Sequence, residues 1–175
     1  MHKRLVGVVL VVGAIAVGTA VAGLNSNWST HARGSLEVPA RDTHGQGQAI
    51  FHLSDNGTEL EYKLIASNIE NIFMAHIHKG VPGANGPIVV WLYPSTTPNV
   101  TGSLGAGRTD GVLVTGTIDA SDIAPSAPAG YTFANLLADL NGGGAYVNFH
   151  TNDGVDGVNT GPGDFPGGEI RGDIQ

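Results

Sequence analysis

The sequence predicts an all-β protein, an antiparallel sandwich or barrel with one short helix, and three observations carry that reading. Apolar and polar residues alternate over many short runs, the period-two signature of strands with one face on a core. Turn signals separate those runs at near-regular spacing in a chain of 175 residues that holds 27 glycines, as sandwiches and barrels require. Helical spacing of apolar residues is credible in one place only. No internal repeat is evident.

The first segment stands apart from this pattern. Lys3 and Arg4 precede an apolar, glycine-containing run from Leu5 to Thr19, and Ala20-Val21-Ala22 is a small-x-small site. This order reads as a secretory signal peptide over residues 1–22. An uncleaved anchor is the alternative, since Leu5 to Ala22 is about long enough to span a bilayer if tilted. Either way the chain is expected at the cell envelope or outside the cell, touching membrane only through this segment if it stays. Residues 23–175 then form a single domain. The formal net charge is −7, and cleavage removes two positive charges more. An acidic surface of this kind disfavours nucleic acid and anionic membranes. The chain contains no cysteine, so thiol chemistry is absent and the domain stands on its core without disulfides.

Gly47 to Ser54 reads as a strand, Asp55-Asn56-Gly57 as a turn, and Thr58 to Ser67 as the second arm of a hairpin. Ile72 to His78 and Ile88 to Tyr93 are further strands, joined by Lys79-Gly-Val-Pro-Gly-Ala-Asn-Gly-Pro87. Residues 94–110 read as a long loop, and Gly111 to Ala120 as a strand. Thr132 caps a helix carrying Phe133, Leu136, Leu137 and Leu140, with Gly142, Gly143 and Gly144 to stop it. Ala145 to Thr151 and the segment around Glu169-Ile170-Arg171 are the last strands. Asn27, Asn56 and Asn99 lie in Asn-x-Ser/Thr triplets, which chance supplies in a chain rich in Asn and Thr.

Several of these runs together resemble one family, the CHRD domain. They are LEVPARDTHGQGQAIFHLSDNGTELEYKLIASNI, AHIHKGVPGANGPIVVWL, AYVNFHT and PGGEIRGDI. The domain is named from the animal extracellular protein chordin and also occurs in secreted microbial proteins. The resemblance covers about residues 32–174. It implies an immunoglobulin-like or superoxide-dismutase-like β-sandwich and no established enzymatic activity. Asn152 to Phe165 is an acidic insertion between two runs that the family usually joins quickly.

The chemistry-bearing residues fall on shared strand faces. His76 and His78 point one way and Ala75 and Ile77 the other. Tyr146, Asn148 and His150 share a face, as do Glu169 and Arg171. If these strands are neighbours, the polar sets converge. Three readings stay open: a solvated sheet face, a hydrogen-bonded network in which Glu169 pairs Arg171 or a histidine, and a metal site. For the last, His76, His78 and His150 are the ligands, and Asn148, Glu169 and Arg171 orient them from behind. Imidazole donors point to copper first and zinc second. His-x-His on a strand is also how superoxide-dismutase-type sandwiches hold copper. His31, His44 and His52 read as surface residues, although His52 can approach from a neighbouring strand. The Gly/Pro-rich loop after His78 is either a tight connection or a rigid rim for the site.

Asp153, Asp156 and Asp164 offer oxygen ligands for calcium, the weaker metal reading because the spacing is not that of an EF-hand. With ordinary imidazole pKa values near 6.5, a three-histidine site should release its ion between about pH 6 and 5, and a carboxylate site near pH 4. No Gly-x-Ser-x-Gly motif or phosphate-binding glycine loop is present, and a dismutase-like copper enzyme lacks a fourth grouped imidazole. The expected function is a secreted or cell-surface binding module whose partner is a metal ion, with an extracellular protein or matrix as a further partner. A structural or adhesive extracellular domain without metal chemistry is the alternative.

Overall fold

A computed structural model describes residues 25–155 and 160–175. The expected leader, residues 1–22, lies outside them. Eight antiparallel strands form one continuous sheet: β1 (Asn27–Arg33), β2 (Gln46–Leu53), β3 (Leu60–Glu70), β4 (Ile72–Lys79), β5 (Ile88–Tyr93), β6 (Arg108–Ile118), β7 (Ala145–Thr151) and β8 (Ile170–Asp173). Their spatial order is β5-β4-β7-β8-β1-β2-β3-β6. The sheet curls into a nearly closed barrel whose two halves pack as a sandwich, as the alternation predicts. The two edges approach where Val90 of β5 bridges to Ile123 beyond β6. There Tyr62 of β3 donates its hydroxyl to the Leu92 carbonyl at 2.7 Å.

Alternation explains the core. Phe51, Leu60, Leu64, Ile77, Val147 and Phe149 are all fully buried. Each faces the core while its chain neighbours point to the other side of the sheet. Burying one such side chain stabilises by about 1.5–3 kcal/mol, so the sheet holds without disulfides. One helix, α1 (Phe133–Gly142), closes an end. Thr132 caps it through a capping box with Asn135, and Gly143 stops it at φ +66°, a left-handed conformation that favours glycine. Its buried stripe is Phe133, Leu136, Leu137 and Leu140, as the spacing predicts.

The expected strands begin at Gly47, yet the structure adds β1. Trp28, Thr30 and Ala32 face inward there and polar residues face out. Two of those three inward residues are small or polar, which weakens the apolar alternation on which a strand is recognised. The long loop after β5 is also shorter than expected, because β6 starts at Arg108. Among the described residues no helix is long and apolar enough to cross a membrane.

Candidate metal centre

β4, β7 and β8 are adjacent, so the polar sets meet. His76 stands opposite Asn148, His78 opposite Tyr146 and Met74 opposite His150, while Asn148 stands opposite Arg171. The solvated-face reading is overturned here. His76, His78, Asn148, His150, Glu169 and Arg171 are all buried, Arg171 completely. The cover comes from segments far apart in the chain: the loop 80–87, the turn before β8, and Glu37 and Arg41 beyond β1. β4 is therefore buried on both faces, apolar on one and imidazole on the other.

The imidazoles are held from behind by main-chain oxygens. His78 Nδ1 donates to the Gly86 carbonyl at 2.8 Å, and His150 Nδ1 donates to the Pro166 carbonyl at 2.8 Å. Each bond fixes a tautomer and turns the Nε2 lone pair inward. His76 Nδ1 meets His150 Nε2 at 3.1 Å, which requires His76 to be the donor. The Nε2 atoms of His76 and His78 are buried without a partner. One ligand atom from each ring lies within 4.8 Å of the others.

Asn148 sharpens the point. Its Oδ1 faces His150 Nε2 at 3.0 Å. An oxygen lone pair then faces a nitrogen lone pair. A cation between them, or a proton on Nε2, relieves that contact. The proton is disfavoured: burial pushes the His150 pKa down to about 4, against the pull of the Pro166 carbonyl. Burial, with the charges of His150 and His78, pushes His76 down to about 2. Burial also lowers His78, against the Gly86 carbonyl and Asn148. The three rings are neutral at pH 7, the state that binds metal.

Arg171 works through a stack. Its guanidinium lies 3.5 Å above the Tyr146 ring, and that ring stacks on His78 at 4.8 Å and 10°. The same guanidinium donates to the Ala84 carbonyl at 2.9 Å and the Val81 carbonyl at 3.0 Å, and pairs with Asp173 at 2.9 Å. It thereby pins the loop that carries Gly86. The Gly/Pro-rich loop is thus tied over the buried histidines by Arg171 and His78.

Glu169 departs from expectation. It pairs neither with Arg171 nor with a histidine. Its carboxylate accepts from the Thr43 and Thr151 hydroxyls and the Gly163 N–H, and so clasps three segments beside the site. His52 does not approach. It is exposed on β2 and pairs with Asn27 at 2.9 Å. His31 and His44 are exposed as well.

The calcium reading gains nothing. Asp156 lies outside the described residues. Asp153 accepts from the Val155 N–H, and Asp164 accepts from the N–H and hydroxyl of Thr160. Among the described residues only the three histidines bring metal-ligating atoms together.

Two residues of the site were not read from the sequence. Trp91 of β5 stands opposite His76, with ring centroids 4.2 Å apart. It lay within a strand read as apolar. Glu37 is buried, and burial raises its pKa to about 7 against Arg171 and Arg41. It sits in an irregular segment without periodicity, so no pattern marked it.

The model of the CHRD domain family matches residues 28–174. No curated protein matches the chain, and no solved structure does.

Proposed function

The chain belongs to the CHRD domain family, and from that premise we propose that it is an extracellular binding module whose cargo or structural ion is held by His76, His78 and His150. The family is one of binding modules, and its domains occur in extracellular proteins, in keeping with a secretory leader at residues 1–22. The observation that supports the metal is the pair of inward, buried and unpartnered ring nitrogens on His76 and His78. Leaving polar atoms unsatisfied in a core costs about 1–3 kcal/mol each. A site that binds a cation recovers this on loading.

The donor set fits a transition metal. Neutral imidazoles suit copper and zinc, and one ligand atom from each ring lies within 4.8 Å of the others, close to the roughly 4 Å that two nitrogens about 2.0–2.1 Å from one ion can span. Copper is the first assignment and zinc the second. Asn148 and Arg171 orient the ligands, and Glu169 braces the segments around them. Metal analysis of protein purified without a histidine tag tests the reading. Copper or zinc should accompany the wild-type chain and be lost from a His76→Ala/His78→Ala variant. Equal metal content in the two proteins would sink it.

A further inference from the structure

The register of β4 against β7 puts Met74 on the same sheet face as the three histidines. Met74 stands directly opposite His150, and the pairing runs unbroken through His76 opposite Asn148 to His78 opposite Tyr146. Residues two apart on a strand share a face. Directly opposed residues share it too, with Cβ atoms about 4.5–5.5 Å apart. Met74, His76, His78 and His150 are therefore one set. The irregularity lies between Ile72 and Met74, and the Phe73 ring is 6.5 Å from that of His150. Met74 is half-buried whereas the histidines are buried, so it stands at the outer margin of the site. The chain has two methionines. The other is Met1, which makes Met74 the one thioether of the described residues.

The charge of the set matters as much as its geometry. No carboxylate joins the three imidazoles among the described residues, and no thiolate exists. A divalent ion would keep two charges without an anionic ligand in a buried place, where uncompensated charge is costly. A monovalent ion keeps one. Thioether and imidazole together form a soft donor set, and soft donors select Cu(I) over the harder divalent ions.

We propose that Met74 donates its thioether as the fourth ligand and makes this a site for cuprous copper. The inference rests on the reading that the three histidines hold a metal, and the test separates the two.

The probe is Cu(I) itself, titrated without oxygen into the full chain against a chromogenic cuprous chelator. Wild type should bind Cu(I) more tightly than Zn(II), and Met74→Leu should lose Cu(I) affinity by about tenfold or more. The melting temperature of the metal-free variant controls for folding. If that variant fails to fold, protein labelled with selenomethionine keeps the question open to measurement. X-ray absorption of the Cu(I)-loaded labelled chain should show selenium in the copper shell. Unchanged Cu(I) affinity in Met74→Leu, or a copper shell of nitrogen alone, overturns the sulfur ligand and leaves the histidine site standing. Tighter binding of Zn(II) than of Cu(I) overturns the cuprous assignment. A wild-type chain that binds none of Cu(I), Cu(II) and Zn(II) ends the histidine reading and this inference with it.

Discussion

His76 and His150 meet ring nitrogen to ring nitrogen at 3.1 Å. One proton holds the two rings together in the metal-free protein, donated from His76 to the lone pair of His150. An ion bound by both rings takes the place of that proton. The His76 proton then moves to the ring's other nitrogen, the ring stays neutral, and several strong bonds replace one weak one.

Metal binding should be visible through Trp91, whose ring lies 4.2 Å from that of His76. Titration with Cu(II) should quench tryptophan emission. The chain has two tryptophans, and Trp28 is buried in the core on β1. The quench should persist in Trp28→Phe and vanish in His76→Ala/His78→Ala. Quenching that survives the double variant would place the copper elsewhere.

The metal-free protein should lose stability as pH falls below about 6.5. His76, His78 and His150 have folded-state pKa values below the ordinary 6.5, so the unfolded chain binds protons that the folded chain refuses. Each such group costs about 1.4 kcal/mol per pH unit between its two pKa values. For His150 that window runs from 6.5 to about 4. Glu37 acts with the opposite sign, since its folded pKa is raised to about 7. Its contribution is full below the unfolded value and is lost as pH rises through 7. Three histidines outweigh one glutamate, and urea unfolding between pH 7 and 4.5 should show the net loss. A flat profile contradicts the buried neutral rings.

Ordinary imidazoles would release their ion between about pH 6 and 5. Burial revises that expectation. With His150 at about 4 and His76 at about 2, protons compete poorly while the fold persists. Metal content after brief equilibration should hold at pH 5 and fall nearer 4. Acid release alone then no longer distinguishes histidine from carboxylate ligands, and the double histidine variant has to do so.

Gly86→Ala should weaken metal binding without touching a ligand. A Cβ there would lie 1.7 Å from the Lys79 carbonyl oxygen, so the rim must move. The move withdraws the carbonyl that fixes His78. Loss of such an orienting partner typically costs about 10–100-fold in affinity. Isothermal titration should find that loss, and unchanged affinity would show that the rim does not position His78.

Arg171→Leu should destabilise the fold by about 3–5 kcal/mol, the usual result of breaking a buried charged pair. It strands Asp173 and frees the Val81 and Ala84 carbonyls. Chemical denaturation of the metal-free proteins measures it. A change below about 1 kcal/mol, the level of an exposed pair, would mean that the guanidinium does not hold the rim.

Much of this was legible in strand alternation. The two histidines of β4, and Asn148 with His150 on β7, share faces because side chains on a strand repeat every two residues. Once β4 and β7 pair, the trio follows. What alternation could not report is what covers a face. The loop 80–87 and the turn before β8 bury these polar residues through main-chain carbonyls, and any residue can supply a carbonyl. Glu169 misled for a related reason. It precedes β8, where a loop geometry directs its carboxylate to Thr43, Thr151 and Gly163 rather than to Arg171. Glu37 and Trp91 come from elements whose partners only the closed sheet defines.

The two halves of the histidine trio lie 74 residues apart in the chain. Between them run β5, β6 and α1. The first half of the polypeptide supplies His76 and His78 but lacks His150. The three-histidine arrangement comes into being only when β7 docks on β4. Under the proposed function, an ion held by all three rings is bound only after β4 and β7 have paired.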